Sequence, residues 1–300
     1  MTVSNSIFAV SGAATFLDAR KDMSNLFACD TSLEPHPGLL TVGGSGAANG
    51  NVVVGMSNRM AVTVRPFQAV LNRLGALLIM NDGDVTVPLQ AAPSANSRID
   101  VVYVKQREKR APISDSEDGP IIGVVRGTAN LTPVAPQVPD GAVALAQVRV
   151  PSGVTNTTAS GVVITQVYPF AATRGEELRF RTKTDMNAFA ALDGTKAVTL
   201  SDNAHYVRNK GAWKPERQTI TFGSVAKNAV VGTVPNVGNI SHAYGMALLG
   251  SGSTVPLTFF HPDYPKRAAS FSINTSGQIF MLYGSENTLQ SGRITVCWEY

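Results

Sequence analysis

One charged pair stands at the start of an otherwise apolar segment. Residues 96–104 read NSRIDVVYV, so Arg98 and Asp100 flank Ile99 where a β-branched run begins. Such a pair could be a catalytic dyad, a charge that binds a partner, or a clamp that fixes where the strand starts. Residues two apart on a strand share a face, and no nucleophile or second carboxylate stands beside them. We interpret the pair as a structural clamp on strand register.

Aromatic and histidine side chains in the last third of the chain are the best candidates for ligand binding. They lie beside polar residues and turns in HAYG (242–245), FFHPDYP (259–265) and MLYG (281–284). Aromatic rings pack against the apolar faces of sugars while neighbouring polar groups bond hydroxyls. The candidate glycan-binding residues are His242, Tyr244, His261, Asp263, Tyr264 and Tyr283.

The sequence predicts no catalytic residue, no metal site and no cofactor. The histidines at 36, 205, 242 and 261 lack HExxH or HxH spacing, and the two cysteines form no CxxC pair. No GxSxG segment supports a serine nucleophile. Two carboxylate pairs, Asp193 with Asp202 and Asp263 with Glu286, could in principle serve a glycosidase, but nothing in the sequence specifies their proximity. We expect a protein that is not an enzyme.

The basic run KQREKR (105–110) could bind an anionic polymer, but acidic SDSEDG follows it. We interpret the two as a hairpin tip whose charges cancel. The whole chain has 25 Lys and Arg against 21 Asp and Glu, a net charge of +4, which predicts no binding to nucleic acid. No apolar run approaches the roughly 18–20 residues of a membrane span, so no membrane insertion is expected.

Short segments rich in Val, Ile and Thr, bounded by Gly, Pro, Asn or Asp, predict a mainly β fold. Only FLDARKDMSNLFA and TDMNAFAALDG favour short helices, the first with Phe16, Met23, Leu26 and Phe27 on one face and the second capped by Thr184 or Asp185. NDGD (81–84) predicts a hairpin turn. The proline-rich stretch 132–142 predicts an extended surface crossing.

Three parts follow from the changes in composition. Residues 1–172 are expected to form a β-sandwich-like domain with a short helix, and residues 173–216 a charged connector and a small β-hairpin neck. Residues 217–300 are expected to form a C-terminal β-sandwich head. The few charges, 15% of residues, are typical of β-structure that buries surface against copies of itself.

Several spaced motifs resemble one family. They are MAVTVRPFQAVL with the NDGD turn and NSRIDVVYVKQRE, then IIGVVRGTANLTPVAPQVPDGAVALAQVRVPSGVTN, then GVVITQVYP, and finally HYVRNKGAW. Their order resembles the N-terminal domain and neck of minor tail, baseplate and receptor-binding (tail fibre) proteins of tailed bacteriophages, especially those of actinobacteria. The resemblance covers about residues 50–215. Ser97 stands where the family has proline, and residues 217–300 resemble the family only in the general pattern of a β-sandwich head.

The resemblance implies a virion structural protein of the tail tip or fibre that attaches the phage to the host surface. Its first domain would attach to other tail or baseplate proteins, and its head would bind a bacterial cell-surface glycan or glycopolymer. The protein would be a homotrimer in the phage tail, assembled in the host cytoplasm. Two alternatives stay open: a non-adhesive tail adaptor, and an enzyme that degrades surface polysaccharide.

Overall fold

The structure is a computed structural model that describes residues 15–42, 51–110, 112–224, 229–249, 254–259, 270–282 and 289–299. The fold is mainly β with two short α-helices, which confirms the predicted fold class. The chain divides into two compact units, residues 1–178 and 179–300. This division falls within the charged segment RGEELRFR (174–181).

Among its described residues, the first unit contains one helix and ten strands. Their bounds are α1 Phe16–Ser24, β1 Gly38–Val42, β2 Val53–Gly55, β3 Ala61–Val64, β4 Phe67–Asn72, β5 Ala76–Asn81, β6 Val85–Pro88, β7 Ser97–Arg107, β8 Gly119–Val125, β9 Val143–Pro151 and β10 Val163–Gln166. The strands form three sheets with the orders β1-β4-β5, β2-β3-β6 and β10-β9-β7-β8.

Helix α1 begins with a reciprocal cap and is held to β5. Thr15 accepts a bond from the Asp18 backbone, and Asp18 accepts one from the Thr15 backbone, so two free amide donors of the first turn are satisfied. Ser24 accepts a bond from the Ala76 amide at 2.9 Å. The helix ends at Ser24, and Leu26, expected on its apolar face, is 56% exposed.

A single core joins the three sheets of the first unit. Its central members come from every sheet: Leu39, Val62, Val64, Phe67, Leu71, Val87, Val102, Val104, Leu145, Val148 and Val150. Strand β7, SRIDVVYVKQR, is the longest strand of the unit and lies between β8 and β9 in its sheet.

One glutamine side chain bonds the backbone of a neighbouring edge strand. Gln166 on β10 accepts bonds from the amides of Val52 and Val53 at 3.1 Å and donates to the Val53 carbonyl at 2.8 Å. The side-chain amide therefore replaces a strand partner for the start of β2, where the backbone groups would otherwise lack one.

His36 makes the stability of the first unit dependent on pH. Burial lowers the pKa of His36 to about 4, although the negative charge of Asp30 acts to raise it. In the unfolded chain the histidine has a pKa near 6.5, so it takes up a proton at a higher pH than in the folded chain. The free energy of unfolding is therefore highest above about pH 6.5 and falls as the pH drops toward 4. We expect a loss of about 1–2 kcal/mol between pH 7 and 5 by denaturant titration, and a flatter profile for His36→Gln. An equally steep profile in that variant would assign the effect to another group.

The second unit begins at residue 179, within β11. Its elements are β11 Leu178–Phe180, α2 Lys183–Ala188, β12 Lys196–Thr199, β13 Ala204–Asn209, β14 Ala212–Phe222, β15 Val230–Thr233, a short 3-10 helix Val237–Asn239, β16 Ile240–Leu249, β17 Thr254–Phe259, β18 Ser270–Ile273, β19 Gln278–Leu282 and β20 Leu289–Trp298. They form one sheet of order β11-β12-β13-β14-β20-β16-β17-β18-β19-β15, in which β17 and β18 run parallel.

The predicted hairpin 193–216 is present, and α2 packs beside it. Helix α2 is capped by Thr182, with Asp185 completing the capping box, and not by Thr184 or Asp185 as its own cap. Met186 is fully buried and its carbonyl accepts a bond from Trp213 Nε1 at 2.9 Å. Helix α2 therefore fixes the position of the Trp213 ring on β14.

The expected boundary between neck and head at residues 216 and 217 lies inside a strand. β14 pairs with β13 along residues 212–218 and with β20 along residues 217–222. The hairpin and the head strands therefore share one sheet in the second unit. The core of the head strands contains Val234, Ala247, Leu257, Phe271, Ile279, Met281, Ile294, Val296 and Trp298.

The NDGD segment differs from its prediction. It separates β5 from β6, yet β5 pairs with β4, and β6 pairs with β3. Gly83 is also absent from the glycines with positive φ, which a type I′ turn requires. The chain therefore passes from one sheet to another at NDGD and does not form a hairpin there.

Candidate functional site

Arg98 and Asp100 form a fully buried ion pair at the start of β7. Their side chains are 0% and 1% exposed, and Arg98 Nε donates to the two carboxylate oxygens of Asp100 at 2.9 and 3.0 Å. The other guanidinium nitrogens donate to the carbonyls of Gln90 and Ala91, both at 2.6 Å. Asp100 Oδ1 also accepts a bond from the Gly127 amide at 3.0 Å.

These bonds join three parts of the first unit. Gln90 and Ala91 follow β6, and Gly127 follows β8, so the pair ties the exits of both strands to the entry of β7. Every charged atom of the pair faces protein groups in the interior, which leaves no accessible group for a substrate. The geometry supports our structural interpretation of this pair over a catalytic or partner-binding one.

Two of the four basic side chains of KQREKR form ion pairs with the acidic segment that follows. Both lie at the end of β7: Lys105 Nζ is 2.8 Å from Asp115 Oδ1, and Arg107 pairs with Glu117, in the loop that leads to β8. Arg73 also bonds Asp115, and that bond holds the pKa of the carboxyl well below its usual range. These ion pairs reduce the charge that the basic run offers to an anionic polymer.

His242 and Tyr244 lie on the solvent side of β16. Both are exposed, Tyr244 by 53%, and their rings are nearly parallel at 11° with centroids 6.1 Å apart. Ala243 and Ala247 point to the opposite side and pack in the core. Alternation along the strand thus separates a buried face from an aromatic face.

Neighbouring strands extend this aromatic face into three cross-strand rows. We define the outer face as the residues of these three rows, which lie on β13, β14, β20 and β16. The first row contains His205, Arg217, Cys297 and His242; the second Thr219, Thr295 and Tyr244; the third Thr221, Arg293 and Met246.

The second row gives the outer face a rigid, polar centre. The hydroxyls of Thr219 and Thr295 lie 3.0 Å apart and bond each other, and Thr295 is only 8% exposed. Tyr244 lies directly beside this pair in the register. An exposed ring next to fixed hydroxyls is an arrangement that suits a sugar, with its apolar faces and its hydroxyls.

The first row places the Cys297 thiol between Arg217 and His242. Burial raises the pKa of the Cys297 thiol, and the nearby Arg217 opposes that shift. Arg217 Nη2 lies 3.3 Å from His205 Nε2. The thiol is therefore a poor nucleophile at neutral pH, because its thiolate form is disfavoured.

Four predicted site residues, His261, Asp263, Tyr264 and Tyr283, lie outside the described residues, as does Glu286. Of the carboxylates considered for a glycosidase, Asp193 accepts a bond from the Gly211 amide, and Asp202 bonds Thr199 and the Ala204 amide. Both described carboxylates therefore stabilise turns of the hairpin.

Sequence reasoning missed the residues of β14 and β20 that surround Tyr244. A signal existed, because Arg217, Thr219 and Thr221 alternate with Gln218 and Ile220, as Arg293 and Thr295 do with Ile294. Alternation shows that such residues share a face, but it does not say which strands are neighbours.

Within the described residues, no group of three or more His, Cys, Asp or Glu could hold a metal ion. Over the same part of the chain, no helix has both the length and the apolar character needed to cross a membrane. Comparison with known protein families, with curated proteins and with solved structures gives no match.

Proposed function

We propose that this protein is a structural component of a phage tail tip or fibre, and that its outer face binds a glycan on the bacterial surface. The observation that carries the adhesive part is the exposed, nearly parallel pair of His242 and Tyr244 beside the bonded threonines. The phage assignment is supported by the motifs in residues 50–215, with HYVRNKGAW forming β13 and the start of β14.

The protein acts in this proposal by adhesion and catalyses no reaction. An open sheet face makes few contacts with one sugar, so each copy binds weakly. Several copies in a homotrimer, and several trimers in one virion, raise the overall avidity by about 10²–10⁴ without new contacts. The first unit attaches each copy to neighbouring tail or baseplate proteins, and the localisation is the virion.

Replacing Tyr244 with alanine tests the adhesive part. The side chain is 53% exposed, so the fold should tolerate the change, while loss of the ring should weaken each contact about tenfold. We expect particles that assemble normally and adsorb poorly, measured as free phage remaining after mixing with host cells. Met80→Ala, which truncates a side chain that is 66% exposed in the first unit, is the matched control.

Two results would contradict this reading. Normal adsorption by Tyr244→Ala and by the double variant His242→Ala/Tyr244→Ala would remove glycan binding from the outer face. Failure of the Tyr244 variant to assemble, with its melting temperature unchanged, would favour the non-adhesive adaptor.

A further inference from the structure

An open cavity lies on the first unit where β7 begins and β9 ends. Its volume is about 500 Å³, within the range of ligand pockets. The lining consists of Asn96, Ser97, Asn130, Leu131, Arg149, Pro151, Ser152 and Gly161. None of these residues belongs to the outer face or to the Arg98–Asp100 pair.

Arg149 gives this cavity a positive charge. It is exposed on β9, between Ile99 of β7 and Val163 of β10 in the register. No acidic side chain lines the cavity, and no described acidic residue forms an ion pair with Arg149. A guanidinium in this state offers its planar fork to a carboxylate or a phosphate.

Neutral polar groups and apolar surface complete the lining. Asn130 Oδ1 accepts a bond from the Thr132 amide at 3.2 Å, so the amide nitrogen of its side chain is the group left for a ligand. Asn96 and Ser152 add an amide and a hydroxyl, while Leu131, 85% exposed, supplies apolar contact. Amides and hydroxyls bond sugar hydroxyls, and the exposed leucine covers the apolar part of a ring.

The cavity wall is fixed before any ligand arrives. The Asn130 amide donates to the Ser97 carbonyl at 2.9 Å, and the Gly153 amide donates to the Pro93 carbonyl at 3.1 Å. Ser97 directly precedes the buried Arg98, whose bonds hold the start of β7. A wall held in this way loses little conformational entropy when a ligand binds.

We propose that this cavity binds a sugar that carries an oxyanion, either a carboxylate or a phosphate. Arg149 bonds the oxyanion, and the amides of Asn96 and Asn130 bond the hydroxyls of the ring. The first unit thereby has a binding site of its own, separate from the outer face.

A titration of the full chain with three small probes tests the class of ligand. Glucuronate carries the carboxylate, glucose 1-phosphate carries the phosphate, and glucose carries neither. We expect ligand-observed NMR to detect glucuronate, glucose 1-phosphate or both at millimolar concentration, with glucose at least about tenfold weaker. The stronger of the two acidic probes identifies the oxyanion. Equal binding of glucose, or binding of none of the three, overturns the proposal.

Substitutions in the cavity locate the site. Arg149→Gln should weaken the acidic probe about tenfold, Arg149→Lys should retain part of the affinity, and Asn130→Asp should weaken it through repulsion. The aspartate keeps the acceptor for the Thr132 amide, so the loop is preserved. Arg126→Gln removes the same charge from an exposed arginine that does not line this cavity and should bind as the unmodified chain does. Unchanged binding by Arg149→Gln, or equal loss in Arg126→Gln, overturns the assignment.

Discussion

Replacing Arg98 with methionine is expected to destabilise the first unit by about 3–5 kcal/mol. The substitution leaves the Asp100 carboxylate in the interior without its cation, and an uncompensated buried charge is the main cost. It also removes the donors from the Gln90 and Ala91 carbonyls, which lose bonds of 2.6 Å. The effect therefore combines a stranded charge with two unsatisfied acceptors.

The measurement must follow the first unit alone, because the two units can unfold separately. Both tryptophans, Trp213 and Trp298, lie in the second unit, so their fluorescence does not report this change. Hydrogen exchange of the amides in β7 and β9 does. We expect their protection to fall by about two to four orders of magnitude.

The control is a solvent-exposed Lys–Glu pair in the second unit, whose unfolding is followed by tryptophan fluorescence. Lys196 and Glu216 lie 3.2 Å apart with side chains 52% and 41% exposed, so Lys196→Met should cost less than about 1 kcal/mol. The double variant Arg98→Met/Asp100→Leu should cost less than the sum of its single changes, because it strands no charge. A small effect of Arg98→Met, equal to that of Lys196→Met, would refute the clamp interpretation.

Replacing Gly277 with alanine is expected to destabilise the second unit by about 3 kcal/mol. Gly277 has a φ of +79°, which costs an L-residue about 1–2 kcal/mol. A Cβ atom would also lie 1.9 Å from the Val234 carbonyl oxygen, so the β18–β19 turn or the segment after β15 must move. Such overpacking adds about 1–3 kcal/mol.

Gly211 separates the two causes. Its φ is +71°, but nothing lies within 4 Å of the position of an added Cβ, so Gly211→Ala should cost only the backbone strain. Tryptophan fluorescence during denaturant unfolding measures both variants in the second unit. If Gly277→Ala and Gly211→Ala lower the free energy of unfolding equally, the close approach of the added Cβ to Val234 does not contribute to the destabilisation.

Short-range patterns in the sequence predicted several elements well. Alternating Val, Ile and Thr residues gave the mainly β fold, and KAVTL with AHYVRN formed the expected antiparallel hairpin. The spacing of Arg98 and Asp100 placed both on one face of β7, where they pair. These features depend on residues within a few positions of each other, and local geometry decides them.

Predictions that required a partner strand were less successful. NDGD has the composition of a hairpin turn, but β6 pairs with β3, because the hairpin of β4 and β5 belongs to another sheet. Likewise the boundary at residue 216 followed composition, while β14 continues through it to pair with β20. Which strands pair is decided by how their side chains are buried in the core, and no local sequence pattern specifies that.

By itself the sequence determined the mainly β fold, the presence of two short helices and the faces on which alternating side chains lie. Only the tertiary structure decided which of those faces meet. It brought Thr219, Thr295 and Tyr244 into one row although Thr219 and Thr295 are 76 positions apart, and it formed the open cavity beside Arg149. The physical reason is that strand pairing is selected by long-range burial of the core, and many pairings satisfy the same alternating pattern.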